Sequence, residues 1–186
     1  MNIKKSQFPP ISGKMDLPAN IYFHTITYKD LEDRRKKGYK LVLPIAYYRK
    51  KEEYLSIGAE GFFLARLMEK VSENVDIVLY YPVWIEKSSD FEIKENIFGF
   101  DTFYLYELSD SIMPNANHIL SVEDVFNRIT TNLDYKNFRL LLYLGLIPEM
   151  VHIEKIRHKE NINFSLYNDG LEILENIIIY YKDLLK

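Results

Sequence analysis

The run from Leu41 to Glu60 constrains the fold of this chain more than any other stretch: an apolar segment turns abruptly polar and then feeds an amphipathic one. Leu41-Val42-Leu43-Pro44-Ile45-Ala46 is too hydrophobic to alternate, which suits a strand buried on both faces of a parallel sheet. Arg49-Lys50-Lys51-Glu52-Glu53 follows as a loop, and beyond Gly58 the residues Phe63, Leu64, Leu67, Met68 and Val71 recur at helical spacing. The order strand, loop, helix places that loop at the carboxyl end of a sheet, where α/β proteins hold their ligands.

The remaining segments extend the same alternation. Residues 1–19, with Pro9, Pro10, Gly13 and Pro18, read as an irregular arm ahead of a single domain over 20–186. Ile21 to Thr27 is β-branched and aromatic, hence strand-like. Thr27 suits the cap of a short helix over Lys29 to Lys37, closed by Gly38, with Arg34, Arg35, Lys36 and Lys37 as a solvated cationic end. In the helix after Glu60 the residues Arg66, Glu69, Lys70 and Glu73 are expected to face outward. Val75 to Ile85 reads as a second buried strand whose pairing stops at Pro82, since proline cannot donate to a ladder. Glu86 to Glu95 is a charged loop, and Ile97 to Leu108 a third strand-like run. Ser121 opens a helix with Val122, Val125, Phe126, Ile129 and Leu133 on one face. Phe138 to Leu146 is a fourth strand-like run, though its length also suits a buried helix. Val151 to Ile156 reads either way. Asn168-Asp169 caps a last helix with Leu171, Leu174, Ile177, Ile178, Tyr181 and Leu185 as its stripe. The pattern argues for an α/β sandwich with a mainly parallel sheet.

Composition narrows the function. A net charge of −3 leaves no basic field for nucleic acid or an anionic membrane. The absence of cysteine removes disulfides and thiolate metal sites and fits a cytoplasmic protein. No window approaches the roughly 18 apolar residues of a membrane helix, and no secretory leader is expected. Phosphate-loop, dinucleotide and nucleophile-elbow glycine patterns are missing from the sequence. His24, His118, His152 and His158 show no metal spacing and read as ordinary imidazoles. With 15 tyrosines and 11 phenylalanines the chain holds more rings than its core must absorb. Tyr47, Tyr48, Tyr54, Tyr80 and Tyr81 fall at strand ends, where amphipathic rings serve a pocket, an interface or the core.

The stretch that opens this reading resembles the first signature of the creatininase-like amidohydrolases. There a strand ending Leu-Pro-Val-Gly-Ser is followed by Glu, Gln, His, Gly, a second His and a closing Gly-Thr-Asp at the start of a helix. Leu43-Pro44-Ile45-Ala46 takes the strand end and Gly58-Ala59-Glu60 the closing triplet, at the family's spacing. Thr27-Tyr28-Lys29-Asp30-Leu31 is similar to the family's helix ahead of this signature, and Asp101-Thr102-Phe103-Tyr104-Leu105 and Asn137-Phe138-Arg139 are similar to later family segments, so the resemblance covers Ile21 to Met150. It implies a three-layer sandwich around a mainly parallel central sheet. It also implies a dinuclear metal site of Glu, His and Asp, types that together activate a bridging water.

The ligand positions depart from that set. Arg49 stands on the Glu position, Lys51 on the His position, and Ile147 on the His position of the fourth-strand turn; Glu60 alone keeps a carboxylate. The resemblance therefore implies a degenerate, shortened member with no metal and no other cofactor. Such a chain is expected to be a structural or regulatory partner of itself or of a complete creatininase-like homologue. The alternative is a metal-independent site for a small anionic ligand, with Arg49 and Lys51 holding the anion and Glu60 as general base. Ion pairing among Arg49, Lys51, Glu52, Glu53 and Glu60 is the plainer account of the same charges.

Overall fold

The computed structural model describes residues 21–48, 54–86, 94, 96–108, 118–129, 135–156 and 167–186. The N-terminal arm lies outside them, as do Arg49, Lys51, Leu133 and nearly all of the Glu86 to Glu95 loop.

Thr27 caps the first helix as its sequence suggests: its Oγ1 accepts the Asp30 N–H at 3.2 Å, and helix α1 runs Tyr28–Lys36. Gly38, at φ +81°, supplies the left-handed residue that turns the chain into strand β1, Lys40–Tyr47. Ile21 to Thr27 is no strand. It makes one parallel bridge, Tyr22 to Leu79, and then coils into a 3-10 turn over Phe23–Thr25, where the Thr25 side chain and N–H both bond Tyr22 O. The local hydrogen bonds win over β propensity because only the edge of the sheet is on offer there.

Strand β1 is central. On one side it pairs with β5, Phe100–Tyr106, and on the other with two short strands, β2, Ile77–Leu79, and β3, Val83–Ile85, all parallel. Pro82 therefore interrupts pairing without ending it. Between Leu79, opposite Val42, and Val83, opposite Ile45, the outer chain spends one residue more than β1 does. Groups on a strand alternate in direction, so Pro44 turns its missing N–H toward the same side as Val42, whose carbonyl accepts Tyr80 N. A proline inside a central strand is tolerated because its missing donor faces this break. Strand β4, Asn96–Ile97, forms an antiparallel hairpin with β5 through Phe98 and Gly99, both at positive φ, and β6, Ile119–Ser121, pairs parallel with the far side of β5.

The apolar run of β1 is buried on both faces because each face has its own layer. Val42 joins the core built by α2 (Ala59–Ser72), α3 (Val122–Ile129), α4 (Tyr135–Leu146) and α6 (Tyr167–Leu185). Leu41 faces the other way, packed with Val78, Phe100 and Leu31 of α1. The result is an α/β three-layer arrangement around a mainly parallel sheet, six-stranded among the described residues.

Several local readings change. The Phe138 to Leu146 run is the buried helix of its two possibilities, and the Asn137-Phe138-Arg139 segment likened to a turn into a strand lies inside α4. Val151 to Ile156 contributes an antiparallel bridge at Val151 and one helical turn, α5, Ile153–Ile156. Helix α6 begins at Tyr167, so Asn168 and Asp169 occupy its first turn, where Asp169 suits the positive end of the dipole. Arg66 and Glu69 point inward from α2.

Candidate functional site at the carboxyl end of the sheet

The loop after β1 returns to the described chain at Tyr54 and is pinned before it enters α2. Ser56 N donates to Met150 O at 3.0 Å, His152 N donates to Tyr54 O at 2.7 Å, and Leu55 bridges Val151 between them. Gly58, at φ +89°, turns the chain into the helix, and Trp84 Nε1 donates to its carbonyl at 3.3 Å. The indole also lies close against Gly61: a Cβ there would sit 2.6 Å from Trp84 Cζ2. Sheet and helix approach so closely only because residue 61 has no side chain.

Glu60 follows in the first turn of α2. The residue is only 4% exposed and sits in the helix layer, its charge close enough to Tyr143 to oppose ionisation of that phenol. Across from it, Glu107 leaves the end of β5 completely buried at 0% exposure. Helix α4 meets it with residues four apart, Tyr135, Arg139 and Tyr143, which share one face. Arg139 grips both carboxylate oxygens, through Nε to Oε1 and through Nη2 to Oε2 at 2.8 Å. Tyr143 OH donates to Oε2 at 2.6 Å and Tyr135 OH to Oε1 at 3.2 Å. Burial drives both phenols well above the ordinary tyrosine range; the Glu107 charge adds to this, and Arg139 opposes it. Stacking of Phe63 on Tyr143, with ring centres 4.6 Å apart, completes the seal.

A second buried pair lies at the opposite end of α2. Arg66 and Glu69 are bonded to each other, and Tyr22 OH donates to Glu69 Oε1 at 2.6 Å. An i, i+3 pair of this kind is usually a surface feature, which is why the sequence pattern places it outside. Tyr22, arriving from the edge of the sheet, covers it, and burial followed by the Glu69 charge holds the Tyr22 hydroxyl far above its usual range.

The five strand-end tyrosines do not form one cluster. Tyr47 and Tyr80 pack on the face carrying Leu43, Ile45 and Tyr106, whereas Tyr54 and Tyr81 pack against the helix-side core. The one-residue excess before Val83 lies in the Tyr80 to Pro82 link, where these consecutive rings reach opposite cores; His24 lies between them, 4.4 Å from Tyr80 and 4.6 Å from Tyr81. Burial lowers the His24 pKa. Tyr48 alone of the five is exposed. Two features escaped the sequence reading. Glu107, Arg139, Tyr135 and Tyr143 come together only once α4 is recognised as a helix, when their spacing becomes legible. Ser56 Oγ lies 3.2 Å from His152 Nε2, a contact between distant segments that no sequence spacing signals.

The donor set does not fit the dinuclear metal site of the resembled family. Glu60 is buried beside a tyrosine-bound ion pair, Ile147 is an apolar core residue, and among the described residues no three His, Asp or Glu side chains converge on one point. The anionic-ligand alternative depends on Arg49 and Lys51, which lie outside the described residues.

This architecture has a creatininase-like fold. Among solved structures the chain is similar to "Creatininase Mn", at 11% identity and a TM-score of 0.62, and to "Crystal structure of creatinine amidohydrolase (creatininase)", at 12% identity and 0.60. Each alignment covers 88% of this chain and 96% of the other. No protein-family model and no curated protein matches the sequence.

Proposed function

We propose that this chain is a creatininase-fold protein without metal-dependent amidohydrolase activity, acting as a structural or regulatory partner subunit of itself or of a complete creatininase-like homologue. The observation that supports this reading is how the described carboxylates at the sheet's carboxyl end are committed. Glu107 is locked to Arg139 and two tyrosines there, and Glu60 is buried beside them. A carboxylate committed to a guanidinium and two phenols has no lone pair to spare for a metal or for proton transfer. A scaffold that keeps its layers while its ligand positions become Arg49, Lys51 and Ile147 retains the surfaces through which a fold assembles. The exposed Tyr48 ring, beside the end of β1, belongs to such a surface in this account. A cytoplasmic setting, with neither nucleic acid nor membrane as partner, belongs to the same reading. Among the described residues no helix is long and apolar enough to cross a membrane.

Sedimentation velocity tests the proposal on the chain alone and after co-expression with a complete homologue. The expected result is an oligomer in one of the two samples, weakened by Tyr48→Ala. Tyr81→Ala is the control, because that ring is already packed against Tyr22 and His24. A monomer under both conditions at micromolar concentration would refute the partner role.

A further inference from the structure

We infer that Ser56 and His152 form a nucleophile and general-base pair for acyl transfer from small carboxylic esters, with Glu154 as the positioning residue for the imidazole. This goes beyond the partner role and does not rest on it. Ser56 Oγ lies 3.2 Å from His152 Nε2, and the other ring nitrogen, Nδ1, lies 3.5 Å from Glu154 Oε1. A proton on Nδ1 facing Glu154 leaves Nε2 to accept the serine proton, the tautomer a general base requires.

Backbone hydrogen bonds bring the two residues of the pair together. Ser56 N to Met150 O and His152 N to Tyr54 O are the two hydrogen bonds flanking the Leu55 to Val151 bridge. They hold Ser56 and His152 diagonally on one face of this isolated antiparallel bridge. Ser56 also precedes the 14-residue helix α2, whose first residue, Ala59, donates its N–H to Ser56 O at 3.0 Å. The positive end of that helix favours negative charge developing on an acyl oxygen at Ser56.

In the reaction, Ser56 Oγ bonds to the ester carbonyl carbon while its proton passes to His152 Nε2. The bond from that carbon to the leaving oxygen then breaks, and the oxygen takes the proton from His152. Water attacks the acyl-serine by the same route, releasing the carboxylic acid and restoring Ser56. The openness of the site selects the substrate. The His152 and Glu154 side chains are 42% and 73% exposed, so water weakens their electrostatic support. Esters with good leaving groups fit this better than amides, whose amines leave less readily. Ile57, next in the chain and 81% exposed, offers an apolar contact for the acyl chain.

The test uses a fluorophosphonate probe and p-nitrophenyl acetate on the full chain, with the modified residue located by mass spectrometry. The expected result is a single adduct on Ser56, and release of p-nitrophenol that falls on the order of 100-fold in Ser56→Ala and in His152→Gln. Both variants keep the backbone ladder, and an unchanged thermal melt shows that they fold. Glu154→Gln should lower the acylation rate with KM unchanged, and Glu154→Asp should restore part of it. Labelling elsewhere, or esterase activity that survives Ser56→Ala, would overturn the inference; so would a folded wild-type chain that takes no label.

Discussion

Replacing Arg139 with methionine probes the buried lock on which the architecture of the carboxyl end depends. Methionine retains the length and much of the apolar stem but leaves Glu107, at 0% exposure, with two neutral phenol donors and no counter-charge. Breaking a buried pair from one side costs about 3 to 5 kcal/mol, because the surviving charge stays desolvated. For a domain of this size that corresponds to a fall in Tm of roughly 10 °C. Removing both partners, as Glu107→Leu with Arg139→Met, eliminates the stranded charge and should recover most of the loss. Urea unfolding followed by fluorescence of Trp84, the sole tryptophan, reads all three proteins in one assay. A single variant within about 1 kcal/mol of the parent would mean that the pair behaves as a surface bridge, and the reasoning from burial would fail.

Gly61→Ala should destabilise by about 1 to 3 kcal/mol although alanine favours helix, because the added Cβ meets the rigid Trp84 ring at 2.6 Å; a stabilised variant in the same urea assay would refute the close-approach argument. Alkali should unfold the protein steeply. Tyr22, Tyr135, Tyr143 and Tyr181 keep their protons in the fold far above the ordinary tyrosine value, through burial first. The folded chain then binds more protons than the unfolded one. Their contribution is complete below about pH 10 and declines as pH rises, by about 1.4 kcal/mol per pH unit for each tyrosine. Phenolate absorbance should appear together with loss of helical circular dichroism; four extra phenolates in a still-folded chain would contradict the burial assignments.

The parts legible in the sequence were those governed by local physics. The apolar Leu41 to Ala46 run, the Thr27 cap, the left-handed Gly38, and the spacing of Phe63, Leu64, Leu67 and Val71 each stand where the pattern puts them. What escaped depends on neighbours. Ile21 to Thr27 has strand propensity but meets only an edge, so its backbone closes on itself. Arg66 and Glu69 look solvated until Tyr22 arrives to cover them. Phe138 to Leu146 is apolar at nearly every position, and periodicity cannot separate a fully buried strand from a fully buried helix. That ambiguity hid the candidate site as well. As a strand, residues 135, 139 and 143 would still share a face but would span more than 25 Å at about 3.3 Å per residue. As a helix they converge on one carboxylate.

The most direct test of the central claim, a creatininase-like fold whose carboxyl end does not hold metal, is metal content after incubation with Zn²⁺ and Mn²⁺ and gel filtration, read by native and elemental mass spectrometry. The buried Glu107 lock, with arginine, lysine and isoleucine at the positions the resemblance assigns to ligands, predicts no tightly bound ion. About two ions per chain, as a dinuclear hydrolase site would carry, would contradict the account.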